Sequence, residues 1–378
     1  MTAARAPLIA LFLGNLEMGG AERVFVTLAR QFVLRGYRVR LILAHKTGPL
    51  LDELDPAIEV IDLKAARPDQ PTWLFALRTL FALRKHLHDS PPQALLSTLT
   101  GANLIAIIAR ALSGRSFRLI IREAVTLSNV RSELRLKAMR KLYPLADKVV
   151  ALTGAMKTQL STALTLSPSQ IEVIGNPLNQ ERIVQLLNDP TECQRSQTHV
   201  PYWLAIGRLV AQKDFSTLIN AAAQFNDDRA PHIVILGDGP LRHKLQTQIN
   251  QHHLEHRVML AGFTNNPYPW LANASGFVLS SRWEGYPNAL LEALHFNLPI
   301  VATDYDESIY ELLDTNPGSY HRIVSPGDSA GIAKEICSLE SARKHFKYHK
   351  KTANFNSATS SQLISGRYLE LLIPAIEP

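Results

Sequence analysis

Two glutamates, Glu284 and Glu292, stand eight positions apart in the run Arg282-Trp283-Glu284-Gly285-Tyr286-Pro287-Asn288-Ala289-Leu290-Leu291-Glu292. An apolar strand is expected before this run (Phe277–Leu279) and a short one after it (Ile300–Ala302). A helix should open near Pro287, where the missing N–H of proline costs nothing. The first-turn amides of Asn288, Ala289 and Leu290 would lack helical partners and could hold an anion. Carboxylates beside a phosphate would repel it, so Glu284 and Glu292 are expected to accept hydrogen bonds from sugar hydroxyls instead, across the turn made by Tyr286 and Pro287. Such a constellation suits a ligand that is both phosphorylated and hydroxyl-rich, such as a nucleotide sugar. The plain alternative is an ordinary strand–loop–helix unit with glutamates early in the helix.

A second chemical signal follows the apolar run Trp203–Ile206. Arg208 and Lys213 lie five positions apart on a loop, where two cations can neutralise a diphosphate leaving group as its charge develops. Arginine grips phosphate bidentately and lysine acts as a point charge. Solvated surface cations are the plain alternative, and in either case loop cations are not expected to support the core. Gly19 and Gly20 fall between the first strand and first helix, where glycine lets the backbone approach a ligand or simply turn. Neither their spacing from Gly14 nor Gly237-Asp238-Gly239 makes Gly-x-Gly-x-x-Gly, which disfavours a nicotinamide enzyme.

The Glu284–Glu292 run resembles the paired-glutamate signature of the retaining glycosyltransferases of family four, also called group 1. Three further segments are similar in the same order: Gly19-Gly20-Ala21-Glu22, Gly207-Arg208-Leu209-Val210-Ala211-Gln212-Lys213, and Gly237-Asp238-Gly239-Pro240. The resemblance implies a GT-B fold, in which two Rossmann-like α/β domains face each other across a cleft and a C-terminal helix crosses back to the first domain. It implies transfer of a sugar from a nucleotide-sugar donor, expected to be UDP-linked, with Arg208, Lys213 and Glu284 catalytic. Donor contacts would come from Gly19, Gly20, Gly207, Gly239, Tyr286–Leu290 and Glu292, with no metal or other cofactor. Asp304-Tyr305-Asp306 invites a metal reading, but it lies late in the second domain, and Arg208 and Lys213 already supply positive charge. The loop from Asp304 to Glu311 has no glycine where relatives tend to have them. Arg122-Glu123-Ala124 departs from the family too, with alanine where many relatives place histidine. Glu123 is expected to line the cleft, or else to form a strand-end ion pair with Arg122.

The elements that must position these residues are legible as short apolar runs alternating with helical patterns, which argues parallel sheets covered on both faces. Strands are expected at Leu8–Leu13, Val39–Leu43, Ala94–Ser97, Leu119–Ile121 and Val149–Leu152. A second series covers Trp203–Ile206, Ile233–Leu236, Val258–Leu260, Phe277–Leu279 and Ile300–Ala302. Helices are expected at Ala21–Leu34, Trp73–Leu87 and Ala102–Leu112, with Ser360–Ile373 last. The polar stretch Asn188–Val200 reads as a linker, so the expected domains are 1–187 for the acceptor, 188–359 for the donor, and a returning helix in 360–378.

Composition frames these readings. The 378 residues are 46% hydrophobic and 19% charged, a globular balance. Two cysteines exclude a disulfide framework and fit a reducing compartment. No apolar run reaches the length of a membrane span, and the short apolar core at Leu8–Leu13 argues against a signal peptide. Residues 1–180 carry 23 Lys and Arg against 13 Asp and Glu, and residues 181–378 carry 17 against 20. A basic first half suggests an anionic partner. The stretch Asn129–Lys148, with Arg131, Arg135, Lys137, Arg140 and Lys141 among Leu134, Leu136, Met139 and Leu142, could lie on an anionic membrane surface or be a solvated helix with one buried face. Trp73–Leu87 is a second candidate. No recognition motif points to nucleic acid. The expected activity is therefore glycosyl transfer to a glycan or lipid-linked acceptor at the cytoplasmic membrane face, in bacterial surface polysaccharide or lipopolysaccharide synthesis. A nucleotide-sugar epimerase of the same fold and a non-catalytic binding subunit are the alternatives.

Overall fold

The computed structural model describes residues 6–67, 70–127, 132–196, 200–225, 230–314, 320–343 and 359–374. The chain divides into two compact units, Met1–Pro177 with Ser357–Pro378, and Leu178–Asn356.

The first unit runs β1 (Leu8–Leu13), α1 (Gly20–Leu34), β2 (Arg38–Leu43), β3 (Glu59–Asp62), α2 (Thr72–Asp89), β4 (Ala94–Thr98), α3 (Thr100–Ser113), β5 (Arg118–Arg122), α4 (Glu133–Leu142), β6 (Lys148–Ala151), α5 (Gly154–Leu164) and β7 (Ile171–Val173). Its sheet has the order β3-β2-β1-β4-β5-β6-β7, with every pairing parallel. All six residues of β1 are buried, as a central strand covered on both faces requires. The second unit runs α6 (Gln180–Leu187), α7 (Pro190–Ser196), β8 (Tyr202–Ile206), α8 (Phe215–Ala222), β9 (His232–Leu236), α9 (Arg242–Gln251), β10 (Val258–Gly262), α10 (Tyr268–Asn273), β11 (Gly276–Leu279), α11 (Asn288–His295), β12 (Ile300–Thr303), α12 (Ser308–Asp314), β13 (His321–Val324) and α13 (Ser329–Arg343). Its parallel sheet has the order β10-β9-β8-β11-β12-β13.

The last helix, α14 (Ser361–Leu372), starts at Ser360, whose side chain accepts from the Leu363 amide. It belongs to the first unit: Ile364, Tyr368, Leu369 and Leu372 share one buried cluster with Phe25, Leu28 and Phe32 of α1 and with residues of β1, β2 and β4.

Two organisational expectations meet a different arrangement. The division falls at Pro177/Leu178 rather than at 187/188, because Leu178 and Ile183 are buried in the second unit's core. The stretch expected as a linker contains α7, whose Glu192 accepts a 2.8 Å hydrogen bond from the Trp270 indole of α10. Strands β3, β7 and β13 were not anticipated. Each is a sheet edge of three or four residues and is mostly half-buried, so none carries a continuous apolar run. In each sheet the strand order reverses at one point, between β1 and β4 in the first unit and between β8 and β11 in the second. Ligands of open α/β sheets bind outside the carboxyl ends of the strands at such points.

Candidate active site

Strands β8 and β11 are hydrogen-bonded neighbours, with Gly276 opposite Trp203 and Phe277 opposite Leu204. Gly276 is required there, since a Cβ would sit 2.7 Å from the Trp203 ring. Both strands deliver their following loops to the same carboxyl edge, so residues 71 positions apart meet. Lys213 Nζ donates to Glu284 Oε1 at 2.5 Å. Glu284 is only 5% exposed, and two further donors hold it: Ser281 Oγ to Oε1 at 2.5 Å and Gln212 Nε2 to Oε2 at 3.3 Å. Gln212 Nε2 also donates to the Trp283 carbonyl at 2.9 Å. The Arg282 amide donates to the Gln212 carbonyl at 2.8 Å, and Arg282 Nε pairs with Asp214 at 2.9 Å. Lys213 and Glu284, read from the sequence as separate phosphate and sugar contacts, thus form one ion pair.

Backbone packing shapes the cation loop. The Lys213 stem lies over Gly207, where a Cβ would come within 3.0 Å of Lys213 Cε. Gly237 has φ +145°, and a Cβ on it would fall 1.9 Å from the Gly207 carbonyl oxygen. A Cβ on Gly239 would lie 2.7 Å from the Leu209 carbonyl oxygen, while Leu209 and Asp238 are joined by a 2.9 Å backbone hydrogen bond. Gly207 and Gly239 therefore make the loops fit each other. Arg208 is exposed, its carbonyl accepts from the Val210 amide at 2.8 Å, and its side chain has no partner among the described residues.

Pro287 is the N-cap of α11, and Tyr286 is half-buried beside it. The expected row of open amides is shortened at Leu290, whose N–H donates to the Pro287 carbonyl at 3.0 Å. Asn288 and Ala289 form the half-buried first turn, and Glu292 lies half-buried one turn further on. The carboxylates of the Asp304-Tyr305-Asp306 segment take protein partners: Asp304 accepts from the Tyr310 hydroxyl at 3.0 Å and Asp306 from the Ser308 amide at 2.8 Å.

The first unit corrects two expectations. Glu123 does not line an open surface: it is 0% exposed. Its carboxyl accepts from the Tyr143 hydroxyl at 2.5 Å, from Thr100, and from the amides of Ala124 and Val125 at 3.1 Å. Arg122 is equally buried and bonds Thr98 and Asn176 rather than Glu123. Burial holds the Glu123 carboxyl above its ordinary range, opposed by those hydrogen bonds. At the start of α1, the space above Gly19 is filled. The Glu22 carboxylate folds over it, and a Cβ on Gly19 would fall 2.1 Å from Glu22 Oε2. Burial raises the Glu22 carboxyl as well, with Arg122 pulling the other way. A glutamate three positions after an N-cap is a readable capping signal, so Glu22 could have been singled out. Gly20 opens α1 beside it. Nothing in the sequence assigned a role to Gln212 or Asp214, because their contacts depend on strand adjacency, and Ser281 gained one only once Glu284, three positions on in the same loop, proved buried.

Two doubly wound units, the second with cation and carboxylate loops meeting at its switch point, define a two-domain α/β architecture with a candidate ligand site there. Residues 18–182 match the family described as Glycosyltransferase Family 4, and residues 200–341 match Glycosyl transferases group 1. The chain belongs to this family of glycosyltransferases and has its two-domain GT-B fold. It is 28% identical over 354 residues to the N-acetylgalactosamine-N,N'-diacetylbacillosaminyl-diphospho-undecaprenol 4-alpha-N-acetylgalactosaminyltransferase of Campylobacter jejuni, covering 91% of this chain and 94% of that one. It is 28% identical to the amylovoran biosynthesis glycosyltransferase AmsD of Erwinia amylovora, over 79% of this chain and 80% of that one. Among solved structures, Anabaena HepE in complex with UDP superposes with a TM-score of 0.71 at 20% identity, covering 97% and 96% of the two chains.

The ion pair makes Lys213 a structural residue as well as a candidate for chemistry. Lys213→Met should lower donor turnover about 100- to 1000-fold and, by leaving Glu284 buried without its cation, cost about 3 kcal/mol of stability. Adding Glu284→Gln should recover most of the stability but not the turnover. Urea unfolding beside turnover checks this, and a Lys213→Met protein as stable as wild type would refute the pairing.

Glu123 generates a pH-dependent expectation. Its raised carboxyl keeps a proton in the folded chain at pH values where the unfolded chain has lost it. That stabilisation is complete below the ordinary carboxylate range and drains away as pH climbs through the folded value. Glu123→Gln should therefore match wild type in acid and become relatively more stable towards neutral pH, with unchanged donor binding. Melting temperatures across that range decide it, the opposite trend indicating a carboxylate held in its charged form.

Proposed function

We propose that this chain transfers a sugar, with its anomeric configuration retained, from a UDP-linked donor to a glycan on a lipid-diphosphate carrier, in the synthesis of a bacterial surface polysaccharide or lipopolysaccharide. The observation that carries this reading is the meeting of Lys213 and Glu284 at the switch point of the second sheet, with Arg208 exposed on the same loop. Lys213 has three N–H donors and Glu284 occupies one, leaving two for phosphate oxygens. Glu284 Oε1 already takes Lys213 and Ser281, while Oε2 takes Gln212 alone and has room for a sugar hydroxyl. As the bond from the anomeric carbon to the diphosphate breaks, its electron pair passes to the leaving oxygen, where Arg208 and Lys213 offset the charge. The acceptor hydroxyl oxygen forms the new bond to the anomeric carbon on the same face, and its proton passes to the departing diphosphate oxygen. Glu292 is assigned to the ribose hydroxyls, and Tyr286–Leu290 to the rest of the donor. The Campylobacter relative, named for a diphospho-undecaprenol-linked acceptor, supports the acceptor class, the Erwinia relative supports a glycosyltransferase of a biosynthetic route, and the UDP in the Anabaena structure supports the donor.

We further assign the first unit to the anionic cytoplasmic face of the membrane. No helix of the described residues is long and apolar enough to cross a bilayer. Helix α4 carries Arg135, Lys137 and Lys141 beside Leu134, which is 79% exposed, and α2 exposes Trp73 and Phe81 beside Arg78 and Lys85, with Arg84 tied to the Leu112 carbonyl at 3.0 Å. Asn129 and Arg131 lie outside the described residues. Arg140 is tied to the Ala163 carbonyl at 2.8 Å, so it is left out of the membrane set. Nucleic acid is not part of this reading.

Incubation of the protein with UDP-sugars and membrane lipid extract should release UDP only when the acceptor is present, and excess EDTA should leave the rate nearly unchanged because side-chain cations handle the leaving group. Loss on chelation with recovery on Mn²⁺ would overturn the cation assignment. Interconversion of the donor sugar without acceptor would favour an epimerase.

Binding to anionic vesicles should weaken as salt rises, through screening, and should be abolished by reversing Arg135, Lys137 and Lys141 to Glu. Equal binding to neutral vesicles at high salt would exclude an electrostatic surface.

A further inference from the structure

Strand β12 ends at Thr303, whose hydroxyl donates to the carbonyls of Leu279 and Ser281. This ties the loop after β12 to the loop carrying Glu284, which Ser281 in turn holds. Tyr305 follows directly. Its ring packs against the same apolar cluster as Tyr286, and its hydroxyl is buried with no hydrogen-bond partner among the described residues. The polar side chains around it are already engaged: Asp304 by Tyr310, Asp306 by the Ser308 amide, Glu284 by Lys213, Ser281 and Gln212. A buried hydroxyl without a partner is unfavourable and uncommon in native proteins, and this one sits beside the candidate donor site, in the loop that has no glycine.

We infer that the Tyr305 hydroxyl is a donor-specificity contact, completed by a neutral polar group of the transferred sugar, a hydroxyl or an amide, which it holds against Glu284. This rests on the donor reading of the same site. The neighbourhood selects the ligand chemistry. Glu284, Asp306 and Glu311 all lie close enough to act on the phenol electrostatically, so a phosphate would be repelled, whereas an uncharged hydroxyl-rich group can both give and take hydrogen bonds. Burial, with those carboxylates, pushes the phenol's proton loss well above its ordinary value, so Tyr305 stays neutral and able to donate. Asp304-Tyr305-Asp306 thereby acquires a role other than metal binding. Its carboxylates organise the loop, and the Asp306 backbone carbonyl accepts from the Ile309 amide at 3.2 Å where α12 opens.

The test compares wild type with Tyr305→Phe for equilibrium binding of UDP, UDP-glucose and UDP-N-acetylgalactosamine, with melting temperature measured alongside. Affinity of the variant for whichever UDP-sugar wild type binds should fall about five- to tenfold, the scale of one neutral hydrogen bond. Affinity for UDP itself should stay the same, and the melting temperature should hold or rise because an unpaired hydroxyl has gone. Unchanged UDP-sugar affinity would overturn the inference and mark the hydroxyl as an unsatisfied structural group. An equal loss for UDP and UDP-sugar would overturn it too, showing a displaced loop. A wild-type protein that binds neither UDP nor a UDP-sugar would instead remove the donor reading on which the inference stands.

Discussion

Glu284 sets the terms for the second unit. A carboxylate 5% exposed must have its charge answered locally, because the cost of burying an unpaired ion exceeds what any loop can recover by packing. Lys213, Gln212 and Ser281 answer it, Ser281 from within the same loop and the other two only because β8 and β11 lie side by side. Asp214 and Arg282 bind the same two loops a second time. The pair is thus both a lock between two loops and a poised charge arrangement, with a cation partly neutralised and a carboxylate partly satisfied until ligand groups take the remaining positions.

Close backbone approach is the complement of that lock. Gly207 lets the Lys213 stem lie flat, and Gly237 and Gly239 let the next loop press against it at distances no Cβ would permit. The resemblance implies donor contacts for Gly207 and Gly239. Their observed neighbours are protein atoms, so their first effect is to fix the cation loop's position. The same logic holds at Gly19, where the Glu22 carboxylate occupies the space.

The two units use one architecture differently at their strand ends. In the first, Glu123 is enclosed and held by Tyr143, Thr100 and the Ala124 and Val125 amides. Arg122 is enclosed with bonds to Thr98 and Asn176 but leaves its Nε without a partner among the described residues, and the C-terminal helix α14 seals the adjacent core through Tyr368 and Leu369. In the second, the corresponding edge keeps Arg208 exposed and leaves Tyr305's hydroxyl without a partner. Buried polar groups that are fully satisfied rigidify a fold, while those left without partners are costly.

The apolar runs determined by themselves that ten strands would form, since a buried parallel strand must be apolar on both faces, and they carried the class of fold, while the glutamate run and the glycine-bearing loop segments carried the family. The paired glutamates and the Arg208–Lys213 loop were legible because their chemistry is local to short segments. Strands β3, β7 and β13 were not, since edge strands can be half-exposed and need no apolar run. The helix at Pro190–Ser196 was hidden by polar composition and is held by Glu192 on Trp270, a tertiary contact. Whether Glu123 would face a ligand or the interior, and whether Lys213 would face a phosphate or Glu284, lay beyond any local pattern. Both were decided by which strands neighbour one another in the sheets, because side-chain partners 20 and 71 positions away are brought within hydrogen-bond distance only by that order.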